Sequence, residues 1–378
     1  GSGYRNVEFI FKNESASRTG SLKHRYSWAL IMWAIVDGKI IENTTVYEAS
    51  SGNTAASEAY MCQLIGVKFI AIVPYTIEQV KAEHIQSYGG GIIKTNLADR
   101  LIRAKYEAMR NNGFFMNQFA NSDRAEEYHE SGNYPLESVN LMHEILAQMQ
   151  QDFNEMNEGP DYFIHAAGTE QMNNNYYYCV IGGTISSVGR YAKKYGLKTK
   201  VVLADTQFSV YYDYVMNGRF TNESGRDVWV APGVAGIGFG VMGPVKHGET
   251  SSLQRAVIDR VVKIPDIAST AAMTVLRQLG INGGTSSGTN FIAALHLAAK
   301  NGEKRKGSMF SNQRLIIATV LGDTGDYYKS SYYNRTWIEE NFNLHGGLPE
   351  IENAFKFGTD PLISGHVRCN RDRVLTYL

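Results

Sequence analysis

The chain has 378 residues, 43% of them hydrophobic, which is enough to bury a sizeable core in one large or two interlocked α/β domains. Lys plus Arg equals Asp plus Glu, 37 of each, so no overall field attracts nucleic acid or an anionic membrane surface. The longest apolar stretches, such as residues 28–36, are far shorter than the roughly 20 residues of a membrane-spanning helix. The sequence therefore predicts a protein with neither nucleic-acid nor membrane partners.

The spacing of the cysteines and histidines indicates neither disulfide bonds nor a metal site. Cys62, Cys179 and Cys369 are widely spaced and form no C-x-x-C pair, which argues against a disulfide framework or a zinc ribbon. The nine histidines have no ligand spacing, so no metal site is predicted. A reducing compartment, the cytoplasm, is therefore expected. The chain begins Gly-Ser-Gly without Met or a signal-like segment, which predicts a truncated amino end.

Short β-rich runs alternate with longer helical patterns along the chain, which is typical of βαβ units and a mostly parallel sheet. Strands are predicted at residues 7–12, 44–49, 68–74, 114–119, 162–167, 200–205 and 315–321. Helices are predicted at residues 21–35, 53–66, 136–150, 187–195, 266–280 and 287–301. The Asn- and Tyr-rich run 173–178 and the tail after His345 lack this periodicity.

Lys23 opens a predicted helix directly after a strand and a turn, so it lies near the carboxyl edge of a parallel sheet, where α/β proteins bind ligands. Taken alone, it would be a solvated surface lysine. The positive end of the helix and the apolar flanking sequence instead favour the free amine that Schiff-base chemistry needs. Four further segments support this second interpretation.

These four segments also follow strands or open helices. Residues 50–54, Ser-Ser-Gly-Asn-Thr, predict either an anion cradle for a carboxylate or a simple N-cap and turn. Gln118 lies at the end of a predicted strand and would be unremarkable by itself. Residues 182–184, Gly-Gly-Thr, can cradle a phosphate through backbone N–H groups. In residues 283–290, a neutral hydroxyl could pair with a pyridine nitrogen.

As an ordered set, these segments resemble the fold-type II pyridoxal-phosphate (PLP) enzymes of the cysteine synthase and cystathionine β-synthase family, from about residue 9 to 341. The resemblance implies a tryptophan synthase β-like α/β fold, with two three-layer αβα domains and mostly parallel sheets. Residues 1–29 and 131–345 would form the large PLP-binding domain, residues 30–130 a small mobile domain, and residues 346–378 an irregular tail. The resemblance also implies a homodimer that acts on a small amino-acid substrate.

The same resemblance implies roles for individual residues. Lys23 matches the lysine of the S-x-K-x-R motif and would be the catalytic residue that carries PLP. The other implied cofactor contacts are Asn53, Gly168, Thr169, Gly182, Gly183, Thr184 and Ser286. The implied contacts to the substrate carboxylate are Ser50, Ser51, Gly52, Thr54 and Gln118.

The phosphate loop departs from the family pattern. The family has G-T-G-G-T without interruption, whereas here residues 170–181 separate Gly168-Thr169 from Gly182. The segment is either a genuine inserted loop or translated non-coding sequence. An insertion is expected to displace N–H donors from the phosphate, and each charge-assisted contact contributes roughly 1.5–3 kcal/mol.

Details of the sequence look most like the cysteine desulfhydrase branch of this family, including residues 12–15, 285–290 and 323–333. The resemblance implies PLP-dependent β-elimination on L-cysteine, which releases sulfide, pyruvate and ammonia. One alternative is β-replacement of the cysteine synthase or cystathionine β-synthase type. The other is a catalytically impaired relative that acts as a sensor or binding partner.

Overall fold

The computed structural model describes residues 7–122, 140–153, 159–169, 180–218, 232–238, 252–305, 314–342, 359–360, 363–366 and 374–377. The strands in these ranges are β1 (Val7–Asn13), β2 (Thr45–Glu48), β3 (Lys68–Pro74), β4 (Gly91–Thr95), β5 (Phe114–Phe115), β6 (Tyr162–Ala166), β7 (Gly168–Thr169), β8 (Val180–Ile181), β9 (Lys200–Thr206), β10 (Arg260–Ile264), β11 (Leu315–Leu321), β12 (Thr359–Asp360), β13 (Ile363–His366) and β14 (Val374–Tyr377). The helices are α1 (Lys23–Val36), α2 (Asn53–Leu64), α3 (Gln79–Ser87), α4 (Arg100–Arg110), α5 (Leu141–Phe153), α6 (Gly183–Lys194), α7 (Tyr211–Asn217), α8 (Asp266–Gln278), α9 (Thr285–Arg305) and α10 (Arg335–Asn341).

The larger sheet has the strand order β10-β9-β6-β11-β1-β14, and all of its neighbouring strands are parallel. Every residue of β11 is buried, as expected for a parallel strand with both faces covered. Helices α8 and α9 pack on one face, where Leu276 and Phe291 join the core. Helices α5, α6 and α7 cover the other face through residues such as Ile145, Val188 and Tyr211. This unit therefore has three layers.

The smaller sheet has the order β4-β3-β2-β5, again with parallel neighbours. Residues of α1, α2 and α3 pack on one face, for example Leu30 and Ile85. Ala104 and Ala108 of α4 pack on the other face. The two sheets confirm the predicted α/β class with mostly parallel strands. The division at residues 29/30 and 130/131 stays a prediction.

Several element boundaries differ from those expected. The strand predicted at 114–119 ends at Phe115, because Asn117 adopts a left-handed φ of 47° that an extended strand cannot include. Helix α6 begins at Gly183, four residues before the predicted start at 187. The predicted helix 136–150 is observed from Leu141 onward, and residues 136–139 lie outside the described ranges. The tail, expected to be irregular, contains β12, β13 and β14, and β14 pairs with β1.

Four helices begin beside the carboxyl ends of parallel strands, and they contain the predicted functional segments. Lys23 is the first residue of α1, Asn53 of α2 and Gly183 of α6, while Ser286 is the second residue of α9. None of the described helices combines the length and apolar character that crossing a bilayer requires.

Candidate active site

The turn before Lys23 is hydrogen-bonded to the residues that follow β11. The Leu22 N–H donates to the Gly322 carbonyl at 2.7 Å, and Ser21 forms an antiparallel bridge with Asp323. The Lys23 N–H donates to the Ser21 hydroxyl at 3.3 Å. The Lys23 side chain is half-buried, with Nζ 5.5 Å from the centre of the Tyr26 ring. These contacts fix the first turn of α1 at the edge of the larger sheet.

Asn53, at the start of α2, is joined to the end of β11 through Asp323. The Asn53 Nδ2 donates to Asp323 Oδ2 at 3.0 Å, and the Tyr328 hydroxyl donates to the same oxygen at 2.8 Å. Burial raises the pKa of Asp323 to about 6, although these two hydrogen bonds and the charge of Lys23 act in the opposite direction. Sequence reasoning noted residues 323–333 only as a branch feature and did not assign Asp323 to the site.

The predicted carboxylate loop lies at the same helix start. Ser50 and Thr54 are buried, whereas Ser51 and Gly52 are half-buried. The Gly52 N–H approaches the Ser50 hydroxyl at 3.5 Å, and among the described residues no atom beyond its two chain neighbours lies within 4 Å of the position a Cβ on Gly52 would take. The loop therefore has open space beside its glycine.

Gln118 is held by its backbone, while its side-chain nitrogen remains available. The Gln118 N–H donates to Glu48 Oε2 at 2.8 Å, and the Tyr26 hydroxyl donates to its carbonyl. Only 1% of Gln118 is exposed, yet Nε2 has no hydrogen-bond partner among the described residues. A buried amide nitrogen without a partner is costly, so this donor fits a ligand acceptor.

Residues 168–169 and 180–181 bring the two halves of the predicted phosphate loop together. Strands β7 and β8 pair antiparallel, with Gly168 opposite Ile181 and Thr169 opposite Val180. The Gly182 N–H donates to the Ser252 hydroxyl at 3.2 Å. The following residues, Gly183 and Thr184, lie in the first turn of α6, where backbone N–H groups lack partners within the helix. The interrupted loop therefore keeps a helix amino end that can bind an anion, although some of its other donors are engaged.

Ser286 lies in the first turn of α9, next to the end of β11. A Cβ on Gly322 would be 2.9 Å from the Ser286 Oγ, so this hydroxyl lies against the strand end. The Thr285 hydroxyl donates to the Ala235 carbonyl at 2.8 Å. The neighbouring Gly236 carbonyl lies only 2.4 Å from where a Cβ on Gly168 would be. The segment 234–238 thus connects the phosphate loop to the start of α9.

His165, at the carboxyl end of β6, is a further buried group that sequence analysis did not single out. Burial lowers its pKa to about 4, and the positive charge of Lys23 acts in the same direction. The imidazole is therefore neutral at physiological pH. It lies 6.2 Å, centre to centre, from the Phe163 ring. Its position near Lys23 was hidden in the sequence, because the two residues are 142 positions apart.

The donor set fits PLP. It combines a half-buried lysine, a helix amino end for a phosphate, a neutral hydroxyl at Ser286 and the unpartnered Gln118 amide. The buried residue Asp323 joins three of the segments involved. Together with two parallel αβα units, these features define an α/β enzyme of the PLP-dependent fold-type II class.

The comparison with protein families agrees with this class. The family model described as "Pyridoxal-phosphate dependent enzyme" matches residues 2–311, so the chain belongs to this family. It is 47% identical over 352 residues, 93% of this chain and 78% of the relative, to a Caenorhabditis elegans protein proposed to depend on PLP. It is 32% identical over 337 residues, 88% of this chain and 80% of the relative, to the L-cysteine desulfhydrase of Mycobacterium tuberculosis.

A more distant relative and the solved structures agree on the fold. Cysteine synthase B of Campylobacter jejuni is 27% identical over 325 residues, 86% of this chain and 91% of the relative. The crystal structure of O-ureido-L-serine synthase superposes with a TM-score of 0.63, at 20% identity, over 86% of this chain and 87% of that one. A hydrogen sulfide-producing enzyme from Fusobacterium nucleatum gives a TM-score of 0.58, at 22% identity, over 85% of this chain and 91% of that one.

Proposed function

We propose that this PLP-dependent enzyme catalyses β-elimination on L-cysteine, in which L-cysteine and water give pyruvate, ammonia and hydrogen sulfide. The observation that carries the proposal is the convergence of Lys23, Asn53 and the Ser286 turn on the end of β11. The 32% identity to an L-cysteine desulfhydrase supports sulfide release as the outcome. Bound PLP supplies an electron sink for the carbanion formed at the substrate α-carbon.

The residues of this chain would supply binding and proton transfer. Lys23 would hold the cofactor and, as a free amine, would remove the proton from the substrate α-carbon. The substrate carboxylate accepts hydrogen bonds from the loop at residues 50–54 and from Gln118 Nε2. Residues 168–169 and 182–184 hold the phosphate with α6. The Ser286 hydroxyl would face the pyridine nitrogen as a neutral partner, which would suit elimination at the β-carbon.

One alternative uses the same residues for β-replacement. If a nucleophile reaches the site before water, the product is a new β-substituted alanine, as in a cysteine synthase or cystathionine β-synthase. The similarity to cysteine synthase B of Campylobacter jejuni favours this alternative. The open space beside Gly52 is also compatible with a second substrate.

The other alternative is a catalytically impaired relative that acts as a sensor or binding partner. The β7–β8 ladder and the Gly182–Ser252 hydrogen bond favour it, because both engage backbone groups of the phosphate loop. For the active enzyme, we further propose a cytoplasmic location and a homodimer. Light scattering of the purified protein would test the dimer, and fractionation of cells would test the location.

The first experiment is an absorbance titration of the purified protein with PLP, comparing wild type, Lys23→Ala and the matched control Lys39→Ala. Lys39 is exposed, so its replacement removes an ordinary surface amine. We expect a visible absorbance band in the wild type and in Lys39→Ala, and none in Lys23→Ala. Sulfide and pyruvate are then measured with L-cysteine alone.

The outcomes separate the three functions. Equal amounts of sulfide and pyruvate support elimination. Sulfide without pyruvate, together with a thioether when homocysteine is added, supports replacement. A protein that is folded by circular dichroism and gives no visible band supports the catalytically impaired relative and contradicts the proposal.

A further inference from the structure

Asp323 is the residue at which three separate parts of the candidate site meet, two of them through the backbone and one through the side chain. It pairs with Ser21 next to the Lys23 turn, and its carbonyl accepts the Gly284 N–H at 3.0 Å. The preceding residue, Gly322, accepts the Leu22 N–H at 2.7 Å. The turns that lead into α1 and α9 are therefore both held by the end of β11.

The side chain of Asp323 adds the third part, which is the start of α2. One carboxylate oxygen, Oδ2, accepts from Asn53 at 3.0 Å and from Tyr328 at 2.8 Å. The other oxygen lies 1.9 Å from the place a Cβ on Gly284 would take, so the carboxylate is tightly enclosed. Only 6% of Asp323 is exposed. A carboxylate this buried is disfavoured unless its neighbours stabilise it.

We propose that Asp323 is a positioning residue for cofactor binding, which acts by fixing the Asn53 amide. An amide nitrogen carries two hydrogens, and Asp323 accepts one of them. The second remains for an anionic oxygen of the cofactor ring. The carboxylate also polarises the amide, because hydrogen bonds in chains strengthen one another. This inference rests on the proposed PLP-dependent function.

The charge on Asp323 would therefore influence the bound cofactor through Asn53. Loss of the carboxylate charge weakens its bond to the Asn53 amide and changes the field at the ring. The wild-type visible spectrum should consequently change with pH around the value of about 6 at which Asp323 titrates. Within the described ranges, the titratable or charged groups that interact with Asp323 are Lys23, Lys81, Tyr327, Tyr328 and Tyr333.

The test compares Asp323→Asn, Asn53→Ala and the double variant with wild type. Asp323→Asn keeps the size of the side chain but cannot ionise. The matched control is Asp326→Asn, which removes an exposed carboxylate three residues away. Each protein is titrated with PLP, and its visible spectrum is recorded between pH 5 and 8. Thermal unfolding without PLP reports on the fold of each variant.

We expect Asp323→Asn to weaken PLP binding about tenfold, because its neutral amide oxygen is a weaker acceptor for the Asn53 amide than a carboxylate is. Its spectrum should lose the change near pH 6. The double variant should bind no more weakly than the weaker single variant, because both substitutions act on the same interaction between Asp323 and Asn53. Asp326→Asn should match wild type in both measurements.

Two results would overturn the inference, and they have different consequences for the proposed function. If wild type gives a visible band while Asp323→Asn changes only the melting temperature, Asp323 is a structural tie and the proposed function stands. If wild type gives no band at all, the PLP-dependent function fails and the inference fails with it.

Discussion

At the scale of single residues, Asp323 should make the stability of the cofactor-free protein depend on pH. Burial raises its pKa from 3.8 to about 6, so the folded state prefers the protonated carboxyl more than the unfolded state does. The resulting stabilisation is complete below about pH 4 and is lost as the pH rises through 6. Two pKa units correspond to about 3 kcal/mol.

Urea unfolding of wild type and Asp323→Asn at pH values from 4 to 7.5 measures this contribution. The difference between their free energies of unfolding should shift by about 3 kcal/mol in favour of Asp323→Asn as the pH rises. Other buried carboxyls, such as Asp266, titrate in both proteins and cancel in the difference. A difference that does not vary with pH would contradict the assignment.

Gly284 should not tolerate even a methyl group. A Cβ at this position would lie 1.9 Å from Asp323 Oδ1 and 2.6 Å from the Tyr328 ring, so Gly284→Ala must displace the carboxylate. We expect a loss of about 1–3 kcal/mol in the free energy of unfolding, together with weaker PLP binding.

The control for this variant is Gly91→Ala in β4, where the nearest atoms would be in ordinary contact at 3.5 Å. Denaturant unfolding should leave Gly91→Ala within about 1 kcal/mol of wild type. Similar losses in both variants would mean that crowding around Asp323 is not the cause.

The sequence predicted which segments matter but not the residue that joins them. Asn53 and Lys23 were chosen because each opens a helix after a strand, which is a local pattern. Asp323 makes its hydrogen bond to a residue 270 positions away, and no local pattern reports such a contact. His165 was missed for a similar reason, since it lies inside β6 and its local sequence does not report its position near Lys23.

At the scale of elements, the β7–β8 hairpin should weaken cofactor binding. Its antiparallel ladder uses backbone groups of Gly168 and Thr169 that the uninterrupted loop would leave for the phosphate. Deleting residues 170–181 restores the sequence Gly-Thr-Gly-Gly-Thr. We expect the deleted protein to bind PLP at least tenfold more tightly, because freed donors make charge-assisted hydrogen bonds.

A second variant distinguishes the effect of the β7–β8 pairing on PLP binding from the effect of the length of the inserted loop. Replacing residues 170–179 with Asn-Gly keeps both paired strands and closes them with a two-residue turn. Its dissociation constant for PLP should equal that of wild type. If this variant binds as tightly as the full deletion, the ladder is not responsible.

Boundaries of elements were predicted less well than their presence. The strand before Gln118 was expected to run to residue 119, but Asn117 turns the chain after only two paired residues. Apart from glycine, Asn is one of the few residues that adopt a left-handed φ readily. The pattern of apolar residues does not indicate whether a given Asn does so, and the end of the strand was therefore not predicted. Helix α6 starts at Gly183, and the prediction began later because glycine and threonine are weak helix formers.

At the scale of the whole molecule, Arg25 links the helix that carries Lys23 to two other elements. Its guanidinium forms paired hydrogen bonds with Glu14, just after β1, and with Glu144 of α5, at 2.7–3.2 Å. Lys12 also contacts Glu144 at 3.0 Å. The Glu14 charge and these hydrogen bonds raise the pKa of Arg25 despite its burial.

Replacing Arg25 with lysine should be strongly destabilising, because an ammonium cannot make two bidentate pairs at once. We expect a loss of about 1–3 kcal/mol in the free energy of unfolding, because lysine keeps the charge but loses hydrogen bonds to the two carboxylates. The control Arg335→Lys alters an exposed pair with Glu339 and should change stability by less than about 0.5 kcal/mol. Guanidinium unfolding of both variants measures this. Equal effects would show that burial of the pair is unimportant.

The alternation of strands and helices predicted the parallel α/β class, because a parallel connection needs a crossover that is usually helical. The order of strands within each sheet could not be predicted in this way. Strand β1 lies between β11 and β14, which come from the other end of the chain. Strands β4 and β10 were also missed, since β4 is only partly buried and its apolar pattern is weak.

The four helix starts around the site have a practical consequence for handling the protein. Each amino end has a partial positive charge, so together they attract small inorganic oxyanions even though the chain has no net charge. A phosphate or sulfate buffer would then compete with the cofactor during reconstitution. At a buffer concentration about ten times the dissociation constant of the oxyanion, the apparent affinity for PLP falls roughly elevenfold.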